Sequence, residues 1–291
     1  MKIVKIKGGL GNQMFQYAFA KNLTEYSDEK VVLDYSAFNL LKNDRIRKPR
    51  IKNFCLKIDE ATRQDINEVC FFSHEQDSLS LKYKLFVEAE RIINPNYYFE
   101  KNRCYRNIDK ILKFSYFDGY WQSWRYVESC IEELLQDFEP SCMIKNETKQ
   151  MIDRVSNENS VFIGVRRGDY EAEKNHYGSF GKEYYYRALN IIESQVNNPK
   201  YFIFSNDVEW TKENLNFGNR NVVYREDRDV IDDFDELLIM ANCRHSIIIN
   251  STYHWWGARL KYYPGKIVIA PKKWFFDDKP IDIVPPNWIS I

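Results

Sequence analysis

Arg166 and Arg167 stand side by side in Val165-Arg166-Arg167-Gly168-Asp169-Tyr170, directly after the apolar run Val161 to Val165. A guanidinium fork matches phosphate oxygens two at a time, and a charge at the end of a buried strand is costly unless it is paired. The two arginines therefore point at a phosphorylated ligand, with a structural Arg–Asp pair to Asp169 as the other reading. A second block, Lys7-Gly8-Gly9-Leu10-Gly11-Asn12-Gln13, follows the β-rich run Ile3 to Ile6. A glycine turn opening a helix directs backbone amides at an anion, and Asn12 and Gln13 add short amides suited to sugar or phosphate. The block is no dinucleotide fingerprint, because Met14 holds the third glycine position, and no P-loop, because Gly-Lys-Ser/Thr is missing.

Two further blocks follow apolar runs. In Phe204-Ser205-Asn206-Asp207, the carboxylate of Asp207 can accept from the N1 and N2 hydrogens of guanine or can cap the helix starting near Val208. In Asn250-Ser251-Thr252, hydroxyls and amides can cap the next helix or meet a diphosphate at its N-terminus. Trp255 and Trp256 are adjacent, so on a helix they point about 100° apart and pack rather than form one platform. Asp233-Phe234-Asp235 has the Asp-x-Asp shape of a divalent-cation site, but it opens a helix whose dipole favours carboxylates, and no metal is expected. The histidines at 74, 176, 245 and 254 have no Ser or Cys partner at a hydrolase elbow, so packing or surface roles are expected for them.

These residues need strands that end and helices that begin beside them. Runs at Val161 to Val165, Tyr201 to Phe204, Val222 to Tyr224, Ser246 to Ile249 and Ile267 to Ala270 alternate with helical segments near 182 to 195, 208 to 215, 233 to 242 and 253 to 261. Strands apolar on both faces between helices mark a parallel, Rossmann-like sheet. At the N-terminus, strand, glycine turn, a helix over 13 to 23 and a strand at Val31 to Leu33 complete one βαβ unit. From 35 to 155 the pattern is irregular, with a short strand near Phe117 to Trp121 and a helix from Val127 to Leu135. Glu139-Pro140 and the polar stretch 145 to 160 suggest a boundary, giving domains 1–155 and 156–291.

The chain has 291 residues, 42 basic and 42 acidic, so the broad positive field of a nucleic-acid binder is missing. Aromatics make up 16% of it, and flat amphipathic rings suit sugar faces as well as an aromatic core. The cysteines at 55, 70, 104, 130, 142 and 243 show neither zinc spacing nor a disulfide framework. With neither a signal core nor the roughly 20 apolar residues that span a bilayer, a soluble cytoplasmic protein is expected. The basic run Arg45, Arg47, Lys48, Arg50, Lys52 is a solvated loop or a contact for anionic headgroups at the inner membrane face.

Four blocks together, Gly8-Gly9-Leu10-Gly11-Asn12-Gln13-Met14-Phe15-Gln16-Tyr17-Ala18, Arg166-Arg167-Gly168-Asp169-Tyr170, Phe204-Ser205-Asn206-Asp207 and Asn250-Ser251-Thr252-Tyr253-His254-Trp255-Trp256-Gly257-Ala258, resemble the α-1,2-fucosyltransferases of glycosyltransferase family 11 in kind and order. The resemblance implies a GT-B-like α/β fold, two Rossmann-like domains facing a central cleft, with 1–155 mainly on the acceptor side and 156–291 binding a GDP-sugar. It implies metal-independent, inverting transfer of L-fucose from GDP-β-L-fucose, the donor substrate, to the 2-hydroxyl of a terminal galactoside in a bacterial surface glycan, lipid-linked forms included, with no other cofactor. Arg166 and Arg167 would stabilise the leaving GDP, Gly11 and Asn12 would line the donor side of the cleft, Ser251 and Thr252 would bind phosphate beside Asn250, and Asp207 would read guanine. Asp169 would be the base, with Glu171 and Glu173 as alternatives. The family writes His-x-Arg-Arg where this chain has Gly164-Val165-Arg166-Arg167. That histidine helps hold the nucleotide in related enzymes, so the departure bears on base recognition. Transfer of another GDP-sugar, formation of another linkage and a silent nucleotide-sugar-binding protein are the alternatives.

Overall fold

A computed structural model describes residues 1–38, 48–72, 81–167, 180–225, 232–276 and 280–291. The chain forms two compact units, Met1–Cys142 with Pro280–Ile283, and Met143–Lys279 with Val284–Ile291. Both are built on a parallel sheet, as a pair of Rossmann-like domains requires.

In the first unit β1 (Lys2–Lys5), β2 (Val31–Asp34), β3 (Tyr97–Phe99) and β4 (Tyr116–Asp118) pair in the order β2-β1-β4-β3, all parallel. Helix α1 (Leu10–Tyr26) buries the expected stripe Met14, Phe15, Ala18, Phe19 and Leu23. It starts earlier than the apolar spacing suggests, because Gly9 is its N-cap and Gly8, at φ +81°, turns the chain as a residue with a Cβ could not do without strain. Its buried polar residues bind loops: the Gln13 amide donates to the carbonyls of Gly8 at 2.8 Å and Lys48 at 2.9 Å, and its oxygen accepts from Ile51 N–H at 3.1 Å. Phe19 lies flat on Trp121, centroids 3.7 Å apart.

The stretch that looks irregular in sequence also contains α2 (Arg63–Val69), α3 (Leu81–Ile93), α4 (Trp124–Glu128) and α5 (Ile131–Asp137). The single helix expected over 127 to 135 is thus two short ones, broken where Cys130 takes the non-helical φ of −134°. Residues 280–283 return to this unit. The Asp282 carboxylate accepts from Tyr105 N–H at 3.0 and 3.1 Å, its carbonyl accepts from Trp124 N–H at 3.1 Å, and Ile281 bridges to Arg103.

The second unit begins with α6 (Asn146–Asn157), a helix in the polar stretch read as a boundary, and alternates β5 (Ser160–Val165), α7 (Lys182–Glu193), β6 (Lys200–Ser205), α8 (Val208–Asn214), β7 (Asn221–Tyr224), α9 (Asp233–Asn242), β8 (His245–Ile247), α10 (Thr252–Arg259), β9 (Val268–Ala270) and β10 (Ile289–Ser290). The order β10-β9-β8-β5-β6-β7, parallel throughout, is that of a doubly wound sheet whose order reverses between β5 and β8. Val161, Ile163, Tyr201, Ile203, Ile247 and Ile269 meet Leu189 and Ile192 of α7 in its core. Among the described residues no helix is long and apolar enough to cross a membrane.

The first sheet is tied at its carboxyl end by charge. Asp118, 2% exposed, pairs with Lys7 and with Lys5 at 3.6 Å and accepts from the Tyr97 hydroxyl at 2.7 Å. Burial alone would raise its pKa, but Lys7 and Lys5 outweigh burial and hold the carboxyl well below its ordinary range. Asp118→Asn strips the counter-charge from the buried Lys5, and a loss of about 3 kcal/mol is expected in urea unfolding at neutral pH. Because the folded carboxyl is the stronger acid, its contribution is complete above the unfolded value near pH ~4 and fades below it. The gap between wild type and variant should therefore narrow as the pH falls from about 4, and a gap that holds constant down to acid unfolding contradicts this account.

Candidate functional site

The segments leaving β5 and β8 at their carboxyl ends, Arg166-Arg167 and Ile248 to Thr252, flank the point where the strand order reverses. Open α/β sheets take ligands there, because the helices on the two sides diverge and leave a crevice. The structure brings Arg166, Arg167, Asn250, Ser251 and Thr252 to this one place. Asp207 follows the neighbouring strand β6.

Both arginines are half-buried. Arg167 is held on two sides: its backbone N–H donates to Asn206 Oδ1 at 2.7 Å, and its guanidinium carbon lies 3.9 Å from the centroid of Trp210. A guanidinium over an aromatic face gains a cation–π contact and is held there, a contact the more strongly hydrated lysine ammonium copies poorly. Asp207 is the N-cap of α8, accepting from Trp210 N–H at 3.0 Å, so capping takes one carboxylate oxygen. Cap and stack converge on Trp210, and the Asp207 and Arg167 positions depend on each other through it.

Beyond β8 the polar side chains are largely spoken for by the fold. Asn250, 2% exposed, donates its amide to Trp274 O at 2.8 Å. Ser251, 4% exposed, caps α10 by accepting from His254 N–H at 3.5 Å, and Thr252 is the half-buried first residue of that helix. Trp255 and Trp256 are fully buried, with ring planes 75° apart, and pack rather than form one platform. Asp233 and Asp235 sit in the first turn of α9, where Asp235 is buried and lies 3.4 Å from Lys145. No group of three or more potential metal ligands gathers among the described residues. Gly168, Asp169, Glu171, Glu173 and His176, like Arg45, Arg47 and His74, lie outside the described residues.

In the first unit Gly11 is buried in the first turn of α1, and half-buried Asn12 accepts from the Gln122 amide at 2.9 Å, which joins the segment after β1 to that after β4. Two groups, one here and one in the second unit, have surroundings that the sequence does not announce. Glu100, next to the end of β3, accepts from Tyr120 and Trp121 N–H at 2.6 and 3.0 Å, and burial lifts its carboxyl to about 6 against those two hydrogen bonds. His254, expected to pack, is buried to 4% exposure against Gly164, and burial together with the Arg166 charge lowers its imidazole to about 3.

Strand-end arginines at the reversal of a doubly wound sheet, preceded by a second parallel-sheet unit with a glycine turn, agree with a comparison of the whole sequence: the profile of glycosyl transferase family 11 matches residues 1–291. The chain belongs to that family. This glycosyltransferase is 32% identical to an α-1,2-colitosyltransferase of Escherichia coli over 99% of its own length and 98% of the relative's. It is 29% identical to the Escherichia coli O-antigen biosynthesis glycosyltransferase WbnK over 98% and 99%. Among solved structures, NodZ α-1,6-fucosyltransferase co-crystallised with GDP shares 11% identity at a TM-score of 0.50, covering 88% of this chain and 90% of NodZ, a likeness of fold that places the family 11 enzyme in the GT-B-like class.

The geometry of Asp207 makes a stability test direct. Asp207→Ala removes the cap of α8 and should cost about 1 kcal/mol, whereas Asp207→Ser restores a capping oxygen and most of that loss. Thermal unfolding of the two variants checks this, and equal midpoints for alanine and serine exclude the cap.

Proposed function

We propose that this glycosyltransferase moves L-fucose, with inversion, from GDP-β-L-fucose to the 2-hydroxyl of a terminal galactoside in a bacterial surface glycan. The observation that carries the reading is the placement of Arg166 and Arg167 directly after β5 at the reversal point of the second sheet, with the Arg166 charge felt by His254 in the first turn of α10. Two guanidinium groups and a helix N-terminus give a diphosphate both its counter-charge and directed hydrogen bonds. The name of the α-1,2-colitosyltransferase relative supports the linkage, and that of WbnK supports an O-antigen acceptor.

In the reaction the bond between fucose C1 and the β-phosphate oxygen breaks as the acceptor's 2-hydroxyl oxygen bonds C1 from the opposite face. Negative charge grows on the departing diphosphate in an oxocarbenium-like transition state, so fixed cations there act on the barrier itself. Arg166 is assigned this role, with Arg167 held at its side by Trp210. Asn250, Ser251 and Thr252 shape the phosphate end of the site, Gly11 and Asn12 are assigned to the donor as well, and Asp169 takes the acceptor proton. Residues 156–291 thus bind mainly donor and 1–155 mainly acceptor, with the enzyme working in the cytoplasm at the inner membrane face.

A second reading has its own support. Colitose is fucose without its 3-hydroxyl, and the 32% identity to a colitosyltransferase favours GDP-colitose as an alternative donor on the same site. Scoring nucleotide release with GDP-fucose, GDP-colitose and a set of UDP-sugars, and assigning the product linkage by NMR, separates the two. Turnover of UDP-sugars alone overturns both.

Arg166→Lys keeps one charge but loses the two-pronged contact, and turnover should fall by roughly 10² to 10³; a folded variant within about threefold of wild type contradicts the assignment. Because protein cations meet the diphosphate in this reading, activity should survive excess EDTA. Abolition with rescue by Mn²⁺ points instead to Asp233 and Asp235. Asp207→Ser, which keeps the cap but not the carboxylate, should narrow the preference for GDP over ADP in calorimetric titration. An unchanged ratio leaves Asp207 as a helix cap only.

A further inference from the structure

Gly164 sits one residue before the end of β5, and the space its side chain would fill is taken by a residue of another element. A Cβ built there stands 2.4 Å from Nδ1 of His254 and 2.7 Å from both Cε1 and Cγ. No residue but glycine fits at 164 while this ring is in place. Capping by Ser251 fixes His254 at the start of α10, and Phe162 flanks the ring with centroids 6.5 Å apart.

The imidazole is more than nine-tenths buried, at 4% exposure, and its Nδ1 has no hydrogen-bond partner among the described residues. A packing role needs only a flat apolar ring, and a phenyl group would meet it without desolvating a nitrogen. The ring lies at the reversal point between β5 and β8, close enough to Arg166 for the guanidinium charge to oppose its protonation. A neutral imidazole adds no charge to compete with the arginines for the diphosphate, yet it can donate from one nitrogen and accept at the other.

We propose that His254 is a nucleotide-binding residue: α10 delivers its imidazole into the side-chain position of Gly164, where it hydrogen-bonds the nucleotide held by Arg166. The strand position that carries histidine in the family pattern is thereby served from the helix on the other side of the reversal point. This inference rests on the reading of that point as the GDP-sugar site.

Calorimetric titration of GDP, GMP and guanosine into wild type, His254→Phe and the double variant Gly164→His/His254→Ala tests it, with thermal unfolding alongside. His254→Phe keeps a flat ring, so it should unfold within a few degrees of wild type and yet bind GDP about tenfold more weakly. Gly164→His/His254→Ala returns an imidazole to the same place from the strand and should recover GDP affinity to within about threefold of wild type. A loss confined to GDP assigns the contact to the terminal phosphate, and a loss shared by guanosine assigns it to the nucleoside; either supports the proposal. His254→Phe binding GDP as wild type does overturns it, as does weak GDP binding by a folded double variant, which decides the matter alone if the phenylalanine variant does not fold. Wild-type protein without affinity for GDP refutes the donor-site reading instead.

Discussion

Desolvation of cations at the carboxyl ends of buried parallel strands governs both units. A sheet covered by helices on its two faces meets water chiefly at its ends, and a charge placed there must find a partner or be held at the surface. The first unit answers with an ion pair: Lys5 and Lys7 converge on Asp118, and the hydroxyl of Tyr97 completes the carboxylate's contacts. Positive charge at that end is consumed internally. In the second unit the backbone N–H of Arg167 donates to the amide oxygen of Asn206, its guanidinium lies over the face of Trp210, and burial beside the Arg166 charge keeps His254 neutral. The same topological position thus serves cohesion in one unit and, in the proposed function, an anionic ligand in the other.

How much of this was legible in the sequence follows from how local each signal is. The strands of the second unit are apolar on both faces and bounded by turns, so each is visible in its own few residues, and the run of strands and helices follows. In the first unit β3 is three aromatic residues, Tyr97-Tyr98-Phe99, and α2 is a seven-residue helix betrayed only by the capping box of Thr62 and Asp65. Elements so short take their stability from tertiary packing, and periodicity has no room to register. Helix α6 was hidden for a different reason: only Thr148 and Val155 are buried on it, so its sequence reads as a polar connection.

The site divides along the same line. Residue type alone singles out Arg166 and Arg167, since few side chains suit a diphosphate so well. Capping by Asp207 and Ser251 could be foreseen as an option because a cap is read within four residues. The stacking of Arg167 on Trp210, the lifted carboxyl of Glu100 and the contact of His254 with Gly164 join segments far apart in the chain, and nothing near any one of them announces the other.

The return of residues 280–283 to the first unit, followed by β10 at the edge of the second sheet, bears on biogenesis. A chain emerging from the ribosome generally folds its N-terminal portion first. Here Tyr105 and Trp124 wait for Asp282, and β9 waits for Ile289, until residues 280–291 have been made. Neither unit is a contiguous stretch of chain, so each is completed only once residues 280–291 have been added. A ribosome that stalls before residue 280 leaves two incomplete domains rather than one finished and one missing, and each presents to the quality-control machinery groups that residues 280–291 would otherwise cover.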